Sequence, residues 1–475
     1  MSKKHGVVYT PEDVVEKMLD MAGYFPEKNP EILTKDFMDN SCGDGNILVA
    51  AAERMCKAID AISKNTGMSE GARFVYFEDR LTRHLHGLEL SENECAKCME
   101  RLDKVASKYI GKDVEFAWDI RCCDALNYED GRINWFDFVV CNPPYIRVHD
   151  WESDLSGYVF AEQGMKDMYL AFYELGLKEL SPTGVMVYIT PSSWFTSTAG
   201  KNMRDWLMDM RCLRAVYDYG HKQVFENATT YVAITVMKYA HHNYVEYGSV
   251  DLGGRRIMIP YESMCVDGKF YFGDRSTVNV IQKVKSHKGG NIRVKNGYAT
   301  LADDVFILGD VPWNPSDDYS VPVLKASTGK WDWCVFPYDR NGKVVSEEEF
   351  KKKANFEYQL FCENREKLEA RSTTEPWYAF GRTQAIKDTF KDKWAIKSIV
   401  KDLDDIRPMY VPAGSGVYGG LYIIPENPEQ LECLYCEEFL NYVKSLKKYK
   451  SGGYYTYSSK DLEQYLNWKN ATGTE

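Results

Sequence analysis

The hexapeptide CNPPYI, residues 141–146, places residue types capable of chemistry directly after a strand-like segment. The preceding run FDFVV is apolar enough to predict a buried strand. Asn142 then supplies a side-chain acceptor, Pro143 and Pro144 stiffen the backbone, and Tyr145 supplies an aromatic ring. An ordinary explanation remains open, because strands stop at prolines and Asn-Pro commonly starts a turn. The neighbouring segments of the sequence indicate whether the hexapeptide only ends a strand or forms part of a functional site.

Polar groups also follow the three strands predicted before this one. A loop with two glycines, DNSCGDGN (39–46), follows the first. Glu89 ends the second, where it could accept hydrogen bonds from a ribose diol, and Asp124 follows the third, where it could read an exocyclic amine. Each signal is weak alone, since glycine turns are common and Glu89 could be a helix N-terminal charge. Four polar strand ends on one sheet edge nevertheless predict a ligand site there.

The elements that would position these residues alternate between strand and helix. PEDVVEKMLDMAG predicts a helix with Thr10 as its N-cap and Pro11 at the first helical position. Strand-like and helix-like segments then alternate to about residue 240, which predicts an α/β fold with a doubly wound, mostly parallel sheet. They are ILTKDFMD, NILVAAAERMCKAID, HLHGLEL, SENECAKCMERLDKVA, FAWDIRCCDAL, FDFVVCNPPYI, MYLAFYELGLKEL, GVMVYITP, NMRDWLMDM, LRAVYDYG and TYVAITVMKY.

The pattern changes in the second half of the chain. Short β-like runs separated by Gly, Pro and Asp turns follow residue 250, and the charged helical stretch 345–372 interrupts them. This composition predicts an α+β domain. We therefore predict two domains, residues 1–245 and residues 246–475.

The composition of the chain excludes several classes of protein. It has 475 residues, of which 44% are hydrophobic, but no apolar run long enough to span a membrane and no apolar segment typical of a signal peptide. We expect a cytoplasmic protein without a membrane partner. The 13 cysteines are scattered, which indicates reduced thiols. Two CxxC pairs fall in predicted helices far apart in the sequence, so we predict no metal site.

The net charge of −11 argues at first against a nucleic-acid partner. The acidic excess, however, lies entirely in residues 1–250, whereas the remainder carries equal numbers of acidic and basic residues. Basic residues cluster at 283–295, 381–401 and 443–450, in a half rich in Tyr and Trp. Any one cluster could be a solvated surface, but the three together are compatible with phosphate contacts interleaved with aromatic residues.

These motifs together resemble the S-adenosylmethionine-dependent amino-methyltransferases. Within them, the chain is similar to the γ-class (Eco57I/TaqI-like) DNA adenine-N6 methyltransferases, strongly over the first 240 residues and more loosely beyond. YTPEDVV (9–15) resembles the family's N-terminal motif, and the glycine loop, the ribose acid, CCDAL and NPPY follow in the order typical of the γ class. The resemblance implies a Rossmann-like methyltransferase sheet followed by a target-recognition domain.

The resemblance assigns a role to each matching residue. It implies that Thr10, Asp39 and the Cys42 and Gly43 backbone hold the methionine end of S-adenosyl-L-methionine, that Glu89 binds its ribose, that Asp124 binds its adenine, and that Leu90 and Phe172 enclose that adenine. Asn142 is assigned to both the cofactor and the target base. The glycine loop departs from the family, which usually has Pro at the position of Asn40 and a small residue at that of Asp44. An extra carboxylate at residue 44 could weaken cofactor affinity.

The resemblance also gives NPPY a chemical purpose. The N6 amine of adenine is a poor nucleophile because its lone pair is delocalised into the ring. If the Asn142 oxygen and the Pro143 carbonyl each accept one amine hydrogen, the lone pair is freed toward the sulfonium methyl, and no strong base is needed. Tyr145 would stack on a base flipped out of the duplex. Phe225 is the expected opposite aromatic, although it could instead be a core residue of a β-hairpin.

The second half contains segments similar to the Eco57I-type recognition region. These are NGYATLADDVFIL (296–308), WYAFGRTQAI (377–386) and SGGYYTYSSKDL (451–462). Arg382 and Gln384 are of the types that pair bidentately with guanine and adenine. They could equally hold phosphates or stabilise the domain. Double-stranded DNA is the expected partner.

Alternatives remain open at this point. NPPY also occurs in methyltransferases that act on an RNA base or a protein glutamine, and a catalytically decayed DNA-binding specificity subunit is a third hypothesis. The chain starts at the YTP motif, so we expect modification without cleavage, either beside a separate restriction endonuclease or as a solitary enzyme. We expect a monomer. The recognition sequence does not follow from the amino-acid sequence.

Overall fold

The structure is a computed structural model that describes residues 9–128, 131–146, 155–164, 166–225, 230–309 and 319–473. The chain divides into two compact units, residues 1–278 and residues 279–475. Each unit has its own sheets and its own buried core.

The first unit alternates strands and helices. Its strands are β1 (Phe37–Asp39), β2 (Leu85–Glu89), β3 (Asp119–Cys122), β4 (Phe136–Cys141), β5 (Leu180–Pro191), β6 (Leu213–Asp218), β7 (Val232–Met237), β8 (Tyr244–Ser249), β9 (Arg256–Pro260), β10 (Cys265–Val266) and β11 (Lys269–Phe270). Its helices are α1 (Glu12–Ala22), α2 (Asn46–Thr66), α3 (Glu70–His84), α4 (Glu92–Ile110), α5 (Met168–Glu179), α6 (Lys201–Met210) and α7 (Tyr261–Met264). Helix α8 (Arg275–Ser286) crosses from the first unit into the second.

Nine of the described strands form one sheet in the order β3-β2-β1-β4-β5-β7-β6-β8-β9. The strands from β3 to β5 are parallel to one another, and β7 lies antiparallel between β5 and β6. The strand order reverses between β1 and β4, which makes this a doubly wound sheet with a switch point at that pair. The predicted Rossmann-like, mostly parallel sheet is therefore correct.

Both faces of this sheet are buried, which explains the almost continuous apolar sequence of β4. Successive side chains of a strand point to opposite faces. Phe138 and Val140 accordingly pack in one core with Phe37, whereas Val139 and Cys141 pack in the other. The two cores hold the helices on either side of the sheet and fix the direction in which β4 delivers the hexapeptide.

The sequence prediction differs from the structure at three places in this unit. ILTKDFMD is not one strand: a 3₁₀ helix, Pro30–Thr34, precedes the three-residue β1. Helix α3 was not predicted, because its run RFVYF is rich in the β-branched and aromatic residues typical of strands. Thr10 is not the cap of α1. Pro11 occupies that position, and no cap side chain accepts a hydrogen bond from the first-turn N–H groups.

Strands β8 and β9 continue the large sheet past residue 245, and the first compact unit ends at residue 278. The predicted boundary between a catalytic and a recognition region, at 245/246, concerns the division of function. It remains a prediction.

The second unit mixes short strands and helices, as an α+β domain does. Its strands are β12 (Arg293–Asn296), β13 (Ile307–Gly309), β14 (Ser320–Lys325), β15 (Lys330–Val335), β16 (Lys393–Ile396), β17 (Ile399–Val400), β18 (Met409–Val411), β19 (Gly416–Tyr418), β20 (Leu421–Ile424), β21 (Tyr449–Lys450) and β22 (Tyr454–Thr456). Its helices are α9 (Asp303–Phe306), α10 (Glu347–Lys353), α11 (Asn355–Glu363), α12 (Arg365–Glu369), α13 (Glu437–Ser445) and α14 (Ser459–Thr472). The described strands form sheets in the orders β12-β20-β16-β18, β13-β15-β14-β19 and β17-β22-β21.

Each of the three predicted basic clusters contributes a lysine to the interior of the second unit. Lys285 and Lys448 both pair with the buried carboxylate of Asp461 at the N-terminus of α14. Lys393 is buried and donates to three backbone carbonyls, and burial lowers its pKa to about 8. Counting basic residues therefore overestimates the charge that this half can present to a polyanion.

Two further expectations concern the whole chain. All 13 cysteines are free thiols in this structure, and the reducing environment inferred from their scatter remains an expectation. Within the described ranges, no helix has the length and apolar character needed to cross a bilayer.

Replacing Gly87 with alanine should destabilise the first unit. A Cβ at this position in β2 would lie 2.9 Å from Leu48 Cδ1, 2.9 Å from Ile120 Cδ1 and 3.0 Å from Cys42 Sγ. Overpacking of this kind costs about 1–3 kcal/mol. Urea unfolding of Gly87→Ala should show this loss, whereas Gly71→Ala, where the added Cβ meets no atom within 4 Å on helix α3, should be neutral or slightly stabilising. Equal effects of the two substitutions would contradict the packing argument.

Candidate active site

A cavity of 590 Å³ lies at the carboxyl ends of the parallel strands of the first unit. Residues after β1, β2, β3 and β4 line it, together with the segment before α1 and the first turns of α5. Its lining is Tyr9, Thr10, Asp39, Asn40, Ser41, Cys42, Gly43, Asp44, Asn46, Ile47, Leu88, Glu89, Leu90, Ser91, Glu94, Cys123, Asp124, Ala125, Asn142, Pro143, Pro144, Ile146, Met168 and Phe172. This edge is where open parallel sheets bind ligands.

The glycine loop after β1 is tied to the end of β2. The Cys42 backbone N–H donates to the Leu88 carbonyl (2.9 Å), and the Gly43 N–H donates to Glu89 Oε2 (3.0 Å). The Ser91 N–H donates to the other oxygen of the Glu89 carboxylate at 2.8 Å. Two backbone donors therefore hold this carboxylate in place at the cavity wall, with lone pairs still available for a ligand.

Gly45 explains why the loop needs a second glycine. Its φ is +91°, a region that non-glycine residues rarely adopt, and a Cβ there would lie 2.6 Å from Cys98 Sγ on α4. Helix α2 starts at the next residue and packs closely on α4 as a result.

Asp39 is a buried carboxyl that pairs with no Lys or Arg side chain in the part of the chain that the structure describes. It is 1% exposed, and the Ser41 N–H donates to its Oδ1 at 3.2 Å. Burial raises the pKa of Asp39 to about 7, with a further increase from the nearby negative charge of Glu89. A cationic ligand group in the cavity would favour the ionised form of Asp39.

Asn40 and Asp44, the two residues that depart from the family pattern, both have side-chain partners in the structure. The Asn40 side chain is buried, and its Nδ2 donates to Tyr188 Oη (2.8 Å) and Glu179 Oε2 (3.0 Å). Asp44 forms an ion pair with Arg101 of α4 at 2.7 Å. Burial raises the pKa of Asp44 and Arg101 opposes that increase, so the extra carboxylate at the cavity is neutralised by its own chain.

The carboxylate of Asp124 is oriented by the turn that it caps. The Leu126 N–H donates to Oδ1 at 3.1 Å, and Asn127 Nδ2 donates to Oδ2 at 2.8 Å. Leu90 and Phe172, the predicted pair around an adenine ring, both line the same cavity. Leu90 is 45% exposed and Phe172 is buried.

The hexapeptide delivers two acceptors to the cavity. Asn142, Pro143 and Pro144 line it, and among the described residues none donates a hydrogen bond to the Pro143 carbonyl. Asn142 Nδ2 donates to Thr10 Oγ1 (3.0 Å), while the Tyr145 hydroxyl donates to Asn142 Oδ1 (2.7 Å). The Asn142 amide is therefore bonded at both ends.

Tyr145 and Phe225 lie beside the cavity lining and pack against each other. Their ring centroids are 6.0 Å apart at an interplanar angle of 60°. The Tyr145 hydroxyl also lies within hydrogen-bonding distance of the Ile189 carbonyl, at 3.0 Å. The sequence analysis placed Phe225 either opposite Tyr145 across a flipped base or in a hydrophobic core; Phe225 is buried in one of the two cores of the first unit, and stacking of either ring on a base remains a proposal.

The structure thus gathers most of the predicted site residues at one cavity. Sequence reasoning assigned no role to several lining residues, among them Tyr9, Asn46 and Glu94. Tyr9 and Asn46 stand inside quoted motifs and could have been found from them, whereas Glu94 and Arg101 lie on α4, where an acidic and basic helix surface gives no signal. Arg382 and Gln384 belong to the second unit and are exposed, and Gln384 Nε2 donates to the Gly297 carbonyl at 3.0 Å.

No group of three or more His, Cys, Asp or Glu side chains within the described ranges is arranged to hold a metal ion. The donor set of the cavity instead fits a nucleoside that carries positive charge. Its carboxylates are Asp39, Asp44, Glu89, Glu94 and Asp124. S-adenosyl-L-methionine combines a ribose diol, an adenine amine, a sulfonium and an ammonium group, each of which a carboxylate can bind or stabilise.

Comparison with known proteins agrees with this geometry. The model of the Eco57I restriction-modification methylase family matches residues 61–225. The type II methyltransferase M.BstVI of Geobacillus stearothermophilus is 30% identical over 248 residues, which are 50% of this chain and 42% of that protein. The type II restriction enzyme and methyltransferase RM.Eco57I of Escherichia coli is 22% identical over 526 aligned positions, 89% of this chain and 52% of that protein. The chain spans about half the length of these relatives.

A solved structure shares the fold over almost the whole chain. The type IIL restriction-modification enzyme MmeI, in complex with DNA, has a TM-score of 0.69 at 14% identity, over 97% of this chain and 68% of that one. The predicted resemblance to γ-class methyltransferases of restriction-modification systems is confirmed, as is the methyltransferase sheet. S-adenosyl-L-methionine is the expected cofactor.

The raised pKa of Asp39 should make stability pH-dependent. Between about pH 4 and pH 7 the folded state keeps a proton on Asp39, whereas the unfolded state, in which an aspartate has its ordinary pKa of about 4, has lost it, so the free energy of unfolding falls as the pH rises through this window. Asp39→Asn removes this titration. Relative to the unaltered protein, the variant should gain stability from pH 4 to pH 7, by up to about 1.4 kcal/mol per pH unit, in urea titrations without cofactor. Parallel stability profiles would show that Asp39 titrates normally.

Proposed function

We propose that the protein is a site-specific DNA methyltransferase that transfers a methyl group from S-adenosyl-L-methionine to the N6 amine of an adenine in double-stranded DNA. One observation carries the proposal. The Asn142 side chain and the Pro143 carbonyl stand at the wall of the cavity whose other walls carry the residues expected to bind the cofactor.

The roles of the cofactor residues are those that the family resemblance implies, and the cavity that these residues line supports them. Glu89 would accept from the ribose hydroxyls, Asp124 would accept from the adenine N6 group, and Leu90 and Phe172 would enclose the ring. The methionine end would lie along the glycine loop, near Asp39 and Thr10, with the Cys42 and Gly43 backbone beneath it. When bound, the cofactor supplies an electrophilic methyl group on a sulfonium.

The acceptor pair of the hexapeptide activates an amine without a strong base. Asn142 Oδ1 and the Pro143 carbonyl would each accept one hydrogen of the target amine, which localises the nitrogen lone pair. The nitrogen would then form a bond to the methyl carbon as the carbon–sulfur bond breaks and neutral S-adenosylhomocysteine leaves, and the methylated nitrogen would lose one proton to solvent. The prolines keep the carbonyl fixed, so that little reorganisation is needed during the reaction. The Tyr145 hydroxyl bonds Asn142 Oδ1 in this structure, so an entering amine would exchange with that hydroxyl.

An adenine inside a duplex cannot reach such a cavity unless it leaves the base stack. Unstacking and unpairing cost a few kcal/mol, and stacking on an aromatic ring returns about 1–3 kcal/mol per base. Tyr145 would supply this ring, and Phe225, which packs against Tyr145 in this structure, would have to separate from it to cover the other face of the base. Pro144 holds Tyr145 at the end of the rigid turn.

The second half of the chain would recognise the DNA. We assign catalysis to residues 1–245 and target recognition to residues 246–475, with exposed Arg382 and Gln384 as candidates for contacts to bases or phosphates. Support comes from the relatives, since RM.Eco57I is named a restriction enzyme and methyltransferase and the MmeI structure contains DNA. We further propose that the protein acts as a monomer, either with a separate restriction endonuclease or alone.

The function is tested by expressing the protein in a bacterial host that lacks its own methylation and mapping modified bases by single-molecule sequencing. We expect N6-methyladenine at one defined sequence motif. A genome free of N6-methyladenine, together with transfer of labelled methyl groups from the cofactor to RNA or to protein, would refute the proposal. A genome free of the mark and no transfer to any acceptor would instead favour a decayed specificity subunit.

Asn142→Ala should abolish most methyl transfer while leaving the cofactor bound. The variant loses one of the two amine acceptors, and the loss of such an oxyanion-hole-type interaction costs about 10²–10³ in kcat. Binding of S-adenosylhomocysteine, measured calorimetrically, should change by less than about fivefold. Asn341→Ala, at an exposed turn of the second unit, is the matched control and should keep normal turnover. Near-normal turnover of Asn142→Ala would remove the role given to the hexapeptide.

A further inference from the structure

The hydroxyl of Thr10 has a partner that its sequence position does not predict. Thr10 precedes α1, where a threonine normally caps the helix, yet Pro11 is the cap residue and α1 receives no side-chain cap. The Thr10 side chain is buried, at 6% exposure, and its Oγ1 accepts a hydrogen bond from Asn142 Nδ2 at 3.0 Å. The two residues are 132 positions apart in the sequence.

This hydrogen bond restrains the Asn142 amide, whose nitrogen faces Thr10. The oxygen and nitrogen of a carboxamide are nearly equal in size, so packing alone distinguishes its two orientations poorly. Thr10 Oγ1 accepts from the nitrogen, and on the other side the Tyr145 hydroxyl donates to the oxygen at 2.7 Å. The opposite orientation would place an NH₂ group where the target amine requires an acceptor.

Two hydrogen bonds hold the backbone segment that contains Thr10. Asn46 Nδ2, at the start of α2, donates to the Thr10 carbonyl at 3.2 Å. The hydroxyl of the preceding Tyr9 donates to Glu94 Oε2 of α4 at 3.1 Å. The segment before α1 is therefore fastened to both helices that flank the glycine loop, which gives Thr10 a defined place over the cavity.

We propose that Thr10 is a positioning residue that orients the Asn142 amide for the reaction. Its hydroxyl accepts a hydrogen bond from the amide nitrogen, which leaves Asn142 Oδ1 facing the substrate amine. The Tyr145 hydroxyl donates to that oxygen until the amine replaces it. Because a hydroxyl donates as well as accepts, Thr10 can also donate toward a ligand in the cavity that it lines. The inference rests on the proposed activation of an amine by the hexapeptide.

Two substitutions at Thr10 distinguish the effect of the hydroxyl from the effect of the side-chain volume. Thr10→Val keeps the shape and removes the acceptor, and Thr10→Ser keeps the acceptor. At saturating cofactor and substrate, we expect kcat to fall about tenfold in Thr10→Val, the effect of losing one orienting hydrogen bond, and to stay within about threefold in Thr10→Ser. An equal kcat in the two variants, or a Thr10→Val defect confined to cofactor affinity, would overturn the proposal.

A double-mutant cycle with Asn142→Asp distinguishes orientation from local packing. A carboxylate has two equivalent oxygens and no nitrogen, so it needs no partner to choose its orientation. The tenfold loss caused by Thr10→Val should therefore shrink to less than about threefold in the Asn142→Asp background. If Thr10→Val costs the same factor in both backgrounds, Thr10 acts through packing of its segment and the proposal fails.

The assays are run on whichever amine acceptor the unaltered protein methylates, whether DNA adenine, an RNA base or a protein glutamine. Failure of the DNA assignment is then visible in the unaltered protein, whereas failure of the Thr10 proposal is visible only in the variants. Should Asn142→Asp be inactive, the contrast between Thr10→Ser and Thr10→Val decides alone. Thermal unfolding with S-adenosylhomocysteine, within a few degrees of the unaltered protein, confirms that each variant is folded and binds the cofactor product.

Discussion

The parallel pairing of β1 with β2 on one side and β4 on the other is the constraint on which the site depends. Three strands separated by up to about one hundred residues in the sequence end at the same edge because their backbones share one ladder of hydrogen bonds. Asp39, Glu89 and Asn142 each follow or end one of these strands. No contact between the side chains is needed to bring them together, since strand register alone does so.

This strand pairing explains why a side chain larger than glycine does not fit at residues 87 and 45. Gly87 in β2 faces Leu48 and Cys42, so the glycine loop and the first turn of α2 sit directly on the strand that delivers Glu89. Gly45 allows α2 to approach α4 in the same region. Glu89 and the glycine loop are therefore parts of one packed unit, joined by the hydrogen bond from the Gly43 N–H to Glu89.

Sequence reasoning predicted the residues that stand at strand ends, because an apolar run followed by polar or glycine residues is a local signal. It identified Glu89, Asp124 and the hexapeptide in this way. It missed α3, whose aromatic and β-branched run is typical of a strand, and the pairing of Asp44 with Arg101, which lies 57 residues away. It also gave Thr10 a helix-capping role. Partners supplied by the fold across such distances leave no trace in local sequence patterns.

The acidic character of the first half of the chain has a local cause in the cavity. Among the described residues, its lining carries five carboxylates and no Lys, Arg or His. Burial raises the pKa of Asp39, the nearby charge of Glu89 raises it further, and Asp44 pairs with Arg101 from outside the lining. A cofactor with sulfonium and ammonium charges relieves the repulsion between these carboxylates, and a product that has lost the sulfonium charge relieves it less. The same charge would repel a DNA backbone, so under the proposed function contacts to phosphate would come from other surfaces of the chain.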